Sequence, residues 1–181
     1  DYHIDCGVLG AKAVLNALSE NGYAEAAYKV ATQDTYPSWG WWIVNGATTL
    51  LENWDLEATR DISDNHMMFG EIGAWFFKGL GGIRPDPQAP GFRHILLSPS
   101  FVDGLDYFEA SHMAPDGLIV SSWRRKGRTV TYTVKVPSNT TATLTVQARR
   151  LRSVEIRTEE TADGVWKAEI PAGSWQFTVT L

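Results

Sequence analysis

The sequence predicts an α+β chain in two parts, with helices over residues 1–84 and an antiparallel β-sandwich over residues 85–181. Apolar residues recur at helical spacing in the first part and at every second position in the second. A cluster of prolines and glycines stands where the period changes.

In the first part, Val8, Ala11, Val14, Leu15 and Leu18 share one helical face, and Asn21-Gly22 supplies a stop. A second helix is predicted over residues 23–33, with Ala24, Ala27, Tyr28 and Ala31 on one side. So short a turn makes the two helices antiparallel neighbours. Residues 36–42 hold Pro37 and Gly40, break the period and read as a loop. Residues 47–54 read as the start of a helix after Asn45-Gly46, and residues 55–64 as a polar loop. The last predicted helix covers residues 67–80, with Phe69, Ile72, Phe76 and Leu80 as its stripe. Four helices, two of them short, bury too little surface to close a core. The helical part is therefore expected to pack against a partner or the rest of its own domain.

Pro85, Pro87, Pro90 and Gly91 mark a linker. After it Val130, Tyr132, Val134 and Val136 alternate with polar residues, as do Ala142, Leu144 and Val146. Trp166, Ala168 and Ile170 repeat the pattern, and so do Trp175, Phe177, Val179 and Leu181. Asp116-Gly117, Lys126-Gly127 and Asp163-Gly164 sit where hairpin turns are needed. With earlier strands near residues 94–98 and 107–113, about eight short strands result, the signature of a sandwich. One-sided alternation gives each sheet a wet face and a buried face.

Hydrophobic residues make up 44% and charged residues 20% of the chain, ordinary values that argue against disorder. The net charge of −5 argues against nucleic acid or an anionic membrane as partner, since both call for a basic face. It also serves plain solubility. Cys6 is the only cysteine, so no intrachain disulfide forms. No apolar run reaches the roughly 20 residues of a membrane helix. Without an initiator Met or a basic leader, the chain reads as starting in mid-domain. Four of the eight tryptophans, Trp39, Trp41, Trp42 and Trp54, fall close together. They serve equally as core or as flat faces for sugar rings.

Glu52 stands between Leu51 and Trp54. Apolar neighbours strip hydration from a carboxylate, which suits acid–base work, although a Glu on a helix surface is the commoner case. His66 follows Asn65 after the polar loop, where an imidazole can bond a sugar hydroxyl and an Asn can cap a helix. His3 and Asp5 form a weaker pair. The four histidines, His3, His66, His94 and His112, are scattered, and no metal or cofactor is expected.

Several segments resemble the bacterial α-L-rhamnosidases of glycoside hydrolase family 78. The family's His-x-Asp-Thr-Gly-x-x-Gly is met by His3-Ile4-Asp5-Cys6-Gly7-Val8-Leu9-Gly10, with Cys6 for Thr. Its Tyr-Pro-Ser-Trp-Gly is met by Tyr36-Pro37-Ser38-Trp39-Gly40. Gly-Ala-Thr-Thr-x-Trp-Glu-x-Trp corresponds to Gly46-Ala47-Thr48-Thr49-Leu50-Leu51-Glu52-Asn53-Trp54, with Leu51 for Trp. Asn-His-x-x-x-Gly corresponds to Asn65-His66-Met67-Met68-Phe69-Gly70. Gly82-Ile83 and Pro90-Gly91-Phe92-Arg93-His94-Ile95 continue the order.

The resemblance implies that residues 1–84 are the C-terminal helices of an incomplete (α/α)6 barrel and that residues 85–181 are the β-sandwich domain behind it. It implies inverting hydrolysis of terminal α-L-rhamnosides. A carboxylic acid protonates the leaving oxygen, and a second carboxylate, about 6.5–9.5 Å away, activates water. Glu52 takes the role of general base, His66 a sugar-contacting position, and Trp39 and Trp54 pocket-wall positions. The family's acid-bearing Arg-Asp-Glu region lies upstream and has no match here. The expected partners are thus a rhamnose-containing glycoside and the upstream part of the barrel. Asp61 and Asp64, between the Glu52 and His66 motifs, are the carboxylates to test should the chain prove to carry its own acid. An α/α-barrel glycosidase of other sugar specificity and a non-catalytic carbohydrate-binding module are the competing readings.

Overall fold

A computed structural model describes residues 1–56 and 63–181, which divide into two compact units, Asp1–Phe76 and Phe77–Leu181. The polar loop predicted over residues 55–64 lies mostly outside the described residues, and Asp61 lies outside them altogether.

In the first unit, helix α1 runs Val8–Glu20 and buries Ala11 and Leu15. It ends as the Asn-Gly signal requires. Gly22 takes φ +85°, a left-handed conformation cheap only for glycine, and the Tyr23 N–H closes on the Leu18 carbonyl at 2.8 Å. Helix α2, Ala24–Ala31, buries Ala27 and Val30 and packs on α1. The small Ala27 side chain, with no exposed surface, allows the close approach.

Two expectations are corrected here. Residues 36–42, predicted as a loop, contain the start of helix α3, Trp39–Val44. Six residues are too few to show a period, and the decisive feature is the cap: the Ser38 hydroxyl accepts the Trp41 N–H at 2.9 Å. Residues 47–54, predicted to begin a helix, are irregular. Their backbone bonds go across the chain instead, Glu52 N–H to the Ser63 carbonyl at 3.0 Å and His66 N–H to the Leu50 carbonyl at 2.6 Å.

The helix predicted over residues 67–80 is present with three pitches: a 3-10 turn Met67–Gly70, helix α4 Glu71–Trp75, and a π turn Phe76–Leu80. The change of pitch rotates the buried face. Phe69 and Leu80 are inside as expected, Phe76 is exposed, and Trp75, outside the predicted stripe, is fully buried. Its indole N–H donates to Ser19 Oγ at 2.8 Å, and Asn16 Nδ2 donates to Glu71 Oε1 at 2.9 Å.

The second unit is a sandwich of two five-stranded sheets. Its strands are β1 Ile83–Pro85, β2 His94–Leu97, β3 Tyr107–Ala114, β4 Gly117–Lys126 and β5 Thr129–Val136. Then follow β6 Thr141–Gln147, β7 Arg150–Arg152, β8 Glu159–Ala162, β9 Val165–Ile170 and β10 Gly173–Thr180. One sheet has the order β1-β2-β6-β9-β8, the other β3-β4-β5-β10-β7. The period of two is visible directly: along β5 every second residue, Val130, Tyr132, Val134 and Val136, is buried. Their partners across the core include Ile95, Leu144 and Ala168 of the facing sheet. The three Gly turns close β3–β4, β4–β5 and β8–β9, all with Gly at positive φ.

All pairings are antiparallel but one: β2 runs parallel to β6. The predicted linker is also something else. Residues 86–93 join β1 to β2 as a hairpin loop, and the Asp86 N–H reaches the His94 carbonyl at 3.2 Å. Gly82, just before β1, has φ +69° and lies so close to the Ser98 backbone that a Cβ would overlap it. The one polar cluster in the core is satisfied within itself. Buried Ser121 donates to the Gly81 carbonyl at 2.6 Å and meets the Tyr132 hydroxyl at 3.1 Å. Burial pushes the Tyr132 phenol well above its ordinary value. Among the described residues, no helix is long and apolar enough to cross a membrane.

The second unit has a continuous buried core drawn from both sheets, whereas the first is made of short helical elements and irregular segments around its aromatic cluster. Limited proteolysis is therefore expected to leave residues 77–181 intact while residues 1–76 are cut. A protected first unit and a digested second one would overturn this.

Candidate active site

The first unit is built around four buried aromatic rings, Trp39, Trp42, Trp54 and Phe69. The Ser38 cap starts α3 so that Trp39 and Trp42, three residues apart, face the same way. Trp42 stacks on Trp54 with ring centres 4.6 Å apart and planes at 27°. Trp39 meets Trp54 edge-on at 5.1 Å, and Phe69 packs against Trp54 at 4.4 Å. Each indole N–H has a backbone acceptor: Trp39 the Phe69 carbonyl at 3.0 Å, Trp42 the Trp54 carbonyl at 3.3 Å, and Trp54 the Cys6 carbonyl at 2.7 Å.

Two glycines keep this arrangement possible. Gly40 lies against the Gln33 carbonyl, where any Cβ would overlap it. Gly10 lies against Cys6, whose side chain would stand 2.7 Å from an added Cβ. Burial, with Asp5 adding to it, pushes the Cys6 thiol up and keeps it protonated. His3 Nε2 lies 2.7 Å from Thr35 Oγ1, beside the segment leading into α3.

Glu52 sits where residues 49–52 run alongside residues 63–66. Besides the two backbone bonds above, the Thr49 hydroxyl donates to the Asp64 carbonyl. The carboxylate itself is held at one end: Oε2 accepts the Ser63 N–H at 2.8 Å. The other oxygen, Oε1, stands 4.0 Å from His66 Nε2. The Glu52 side chain is 40% exposed and that of His66 25%. Trp54, two residues on, is turned into the aromatic cluster, and within residues 1–181 the Glu52 carboxylate is part-exposed.

The predicted residues thus fall into two groups. Glu52 and His66 face each other. Trp39 and Trp54 belong to the aromatic cluster, and Trp39 also lines an apolar pocket of about 320 Å³ with Trp42, Leu50, Ile72 and Phe76. Asp64 is exposed, and its carbonyl serves Thr49. Sequence reasoning missed Phe69 as a ring partner of Trp54, though its motif position was noted. It also missed Ser63, which acts through its backbone amide and so leaves no signature in residue type. No group of three or more His, Cys, Asp or Glu is placed to hold a metal ion, among the described residues.

Two family models match consecutive stretches of the chain. Residues 1–80 match the bacterial α-L-rhamnosidase 6 hairpin glycosidase domain, and residues 82–161 the bacterial α-L-rhamnosidase C-terminal domain. The chain belongs to the bacterial α-L-rhamnosidase family. An α-L-rhamnosidase of Alteromonas sp. (strain LOR) is 31% identical over the whole chain, which covers 20% of that protein. The structure of Streptomyces avermitilis α-L-rhamnosidase complexed with L-rhamnose superposes with a TM-score of 0.89 at 28% identity, covering 99% of this chain and 18% of that one. The α-L-rhamnosidase from Dictyoglumus thermophilum gives 0.85 at 29% identity, covering 100% of this chain and 22% of that one. The chain therefore spans about one fifth of the length of the rhamnosidases it matches.

Gly40→Ala tests the packing that carries the site. The added methyl must displace the backbone at residues 33–34, and overpacking of this kind costs about 1–3 kcal/mol. A lowered denaturation midpoint in the full-length protein is the expected result, and an unchanged midpoint would show that this backbone yields freely.

Proposed function

We propose that this chain supplies the general base of an enzyme that hydrolyses terminal α-L-rhamnosides with inversion, and that Glu52 is that base. The observation that carries it is the setting of Glu52: a carboxylate fixed through Oε2 by the Ser63 N–H, half open to solvent, with Oε1 turned to an imidazole. A general base in an inverting hydrolase must reach water and must not rotate away from it. Family membership supplies the substrate class, a rhamnose-containing glycoside.

In this reading residues 1–84 are the last helices of an (α/α)6 barrel and residues 85–181 its β-sandwich companion. The match of residues 1–80 to the bacterial α-L-rhamnosidase 6 hairpin glycosidase domain supports it. The general acid is assigned to the part of the barrel upstream. His66 works at the substrate side of Glu52. Trp39 and Trp54 form the wall behind the site, since their ring faces and indole N–H groups are largely used within the cluster.

Glu52→Gln keeps the shape of the side chain and its bond to Ser63 but takes no proton from water. In the full-length protein it is expected to lower kcat on an aryl α-L-rhamnoside by about 100- to 10,000-fold, the usual contribution of a general base. A variant keeping more than about a tenth of wild-type kcat contradicts the assignment. Residues 1–181 by themselves are expected to be inactive, since inversion needs an acid and a base on opposite faces of the sugar. Activity of the isolated chain on the same substrate would show that it carries its own acid.

A further inference from the structure

We propose that His66 is a second group acting on the hydrolytic water, which Glu52 Oε1 and His66 Nε2 hold between them. This rests on the reading of Glu52 as the base. Three observations lead to it. The Ser63 amide occupies Oε2 at 2.8 Å, so Oε1 is the oxygen left to receive a proton. His66 Nε2 lies 4.0 Å from Oε1, too far for the two to bond each other. One water oxygen can nevertheless reach both at ordinary hydrogen-bond distances of about 2.8–3.0 Å.

The third observation fixes the direction of the bonds. His66 Nδ1 is buried and, among the described residues, has no hydrogen-bond partner. A proton placed there would be a buried donor without an acceptor, which is costly. The ring proton therefore belongs on Nε2, on the side of the carboxylate. The ring itself is held in place from the backbone, where the His66 N–H reaches the Leu50 carbonyl at 2.6 Å, two residues from Glu52.

A water in this position accepts a hydrogen bond from Nε2–H and donates one to Oε1. Its remaining lone pair is directed at the sugar. In the step, the water oxygen forms a bond to the anomeric carbon and its proton passes to Oε1. The glycosidic C–O bond breaks with its electron pair on the leaving oxygen, which takes a proton from the upstream carboxylic acid. His66 keeps its own proton throughout and acts by holding the water in line.

The test is a double-mutant cycle in the full-length protein, with an aryl α-L-rhamnoside as substrate and thermal unfolding as a check on each variant. His66→Ala is expected to lower kcat by about 100-fold, the lower end of what positioned catalytic groups contribute, with KM changed by less than about threefold. His66→Gln, whose side-chain amide can place an N–H near Nε2, is expected to recover at least about tenfold of that loss. Glu52→Gln combined with His66→Ala is expected to be no slower than Glu52→Gln alone, because both side chains act on one water. A raised KM with kcat kept, or single losses that multiply in the double variant, would overturn the proposal and make His66 a sugar contact. An active Glu52→Gln variant is a separate failure, of the base assignment itself.

Discussion

Buried indole N–H groups need acceptors, and in the first unit that need organises everything else. Its helices are short, so its loops must be tied down by something other than helical hydrogen bonds. The Trp54 indole takes the Cys6 carbonyl, the Trp42 indole the Trp54 carbonyl, and the Trp39 indole the Phe69 carbonyl. Four segments distant in sequence are joined by three bonds and one ring stack. The motifs around Cys6, Trp39, Trp54 and Phe69 each contribute one member.

The same cluster explains why Glu52 is where it is. Asn53 is the only residue between it and Trp54. With Trp54 committed to the ring stack and to Cys6, the chain on its N-terminal side must leave the cluster toward solvent. There the backbone of residues 50–52 finds its partners in residues 63–66. One buried aromatic therefore sets the position of a carboxylate two residues away, and Ser63 sets its rotation.

The sandwich was legible because its signal is redundant. Val130, Tyr132, Val134 and Val136 each report the same face, and Asp116-Gly117 and Lys126-Gly127 mark the two ends of β4. What escaped was weakly patterned: the short β1 and β7, while β4 and β8 were marked only by the turns beside them, and in β4 Ser121 takes an inward position to meet Tyr132. The parallel β2–β6 pair was invisible because alternation carries no strand direction. The helical unit was harder for a different reason. Helix α3 depends on the Ser38 cap rather than on a period, and residues 47–54 look helical only while their partners 63–66 are ignored. Of the candidate site, Glu52 and His66 were singled out in the sequence, with the roles proposed for them implied by the family resemblance. The Ser63 amide was not, since every non-proline residue has one.

The way Glu52 is held bears on which of two carboxylate roles is proposed for it. A general acid must hold its proton until the leaving oxygen needs it, which calls for burial or a neighbouring negative charge. A general base in an inverting mechanism has the opposite need: ionised when substrate binds, and in contact with water that arrives from solvent. In the proposed reading Glu52, bonded at Oε2 to a backbone N–H with Oε1 turned to an imidazole, is held to serve the second need. On the proposed reading, the acid of such a pair stands across the sugar, in the upstream part of the barrel.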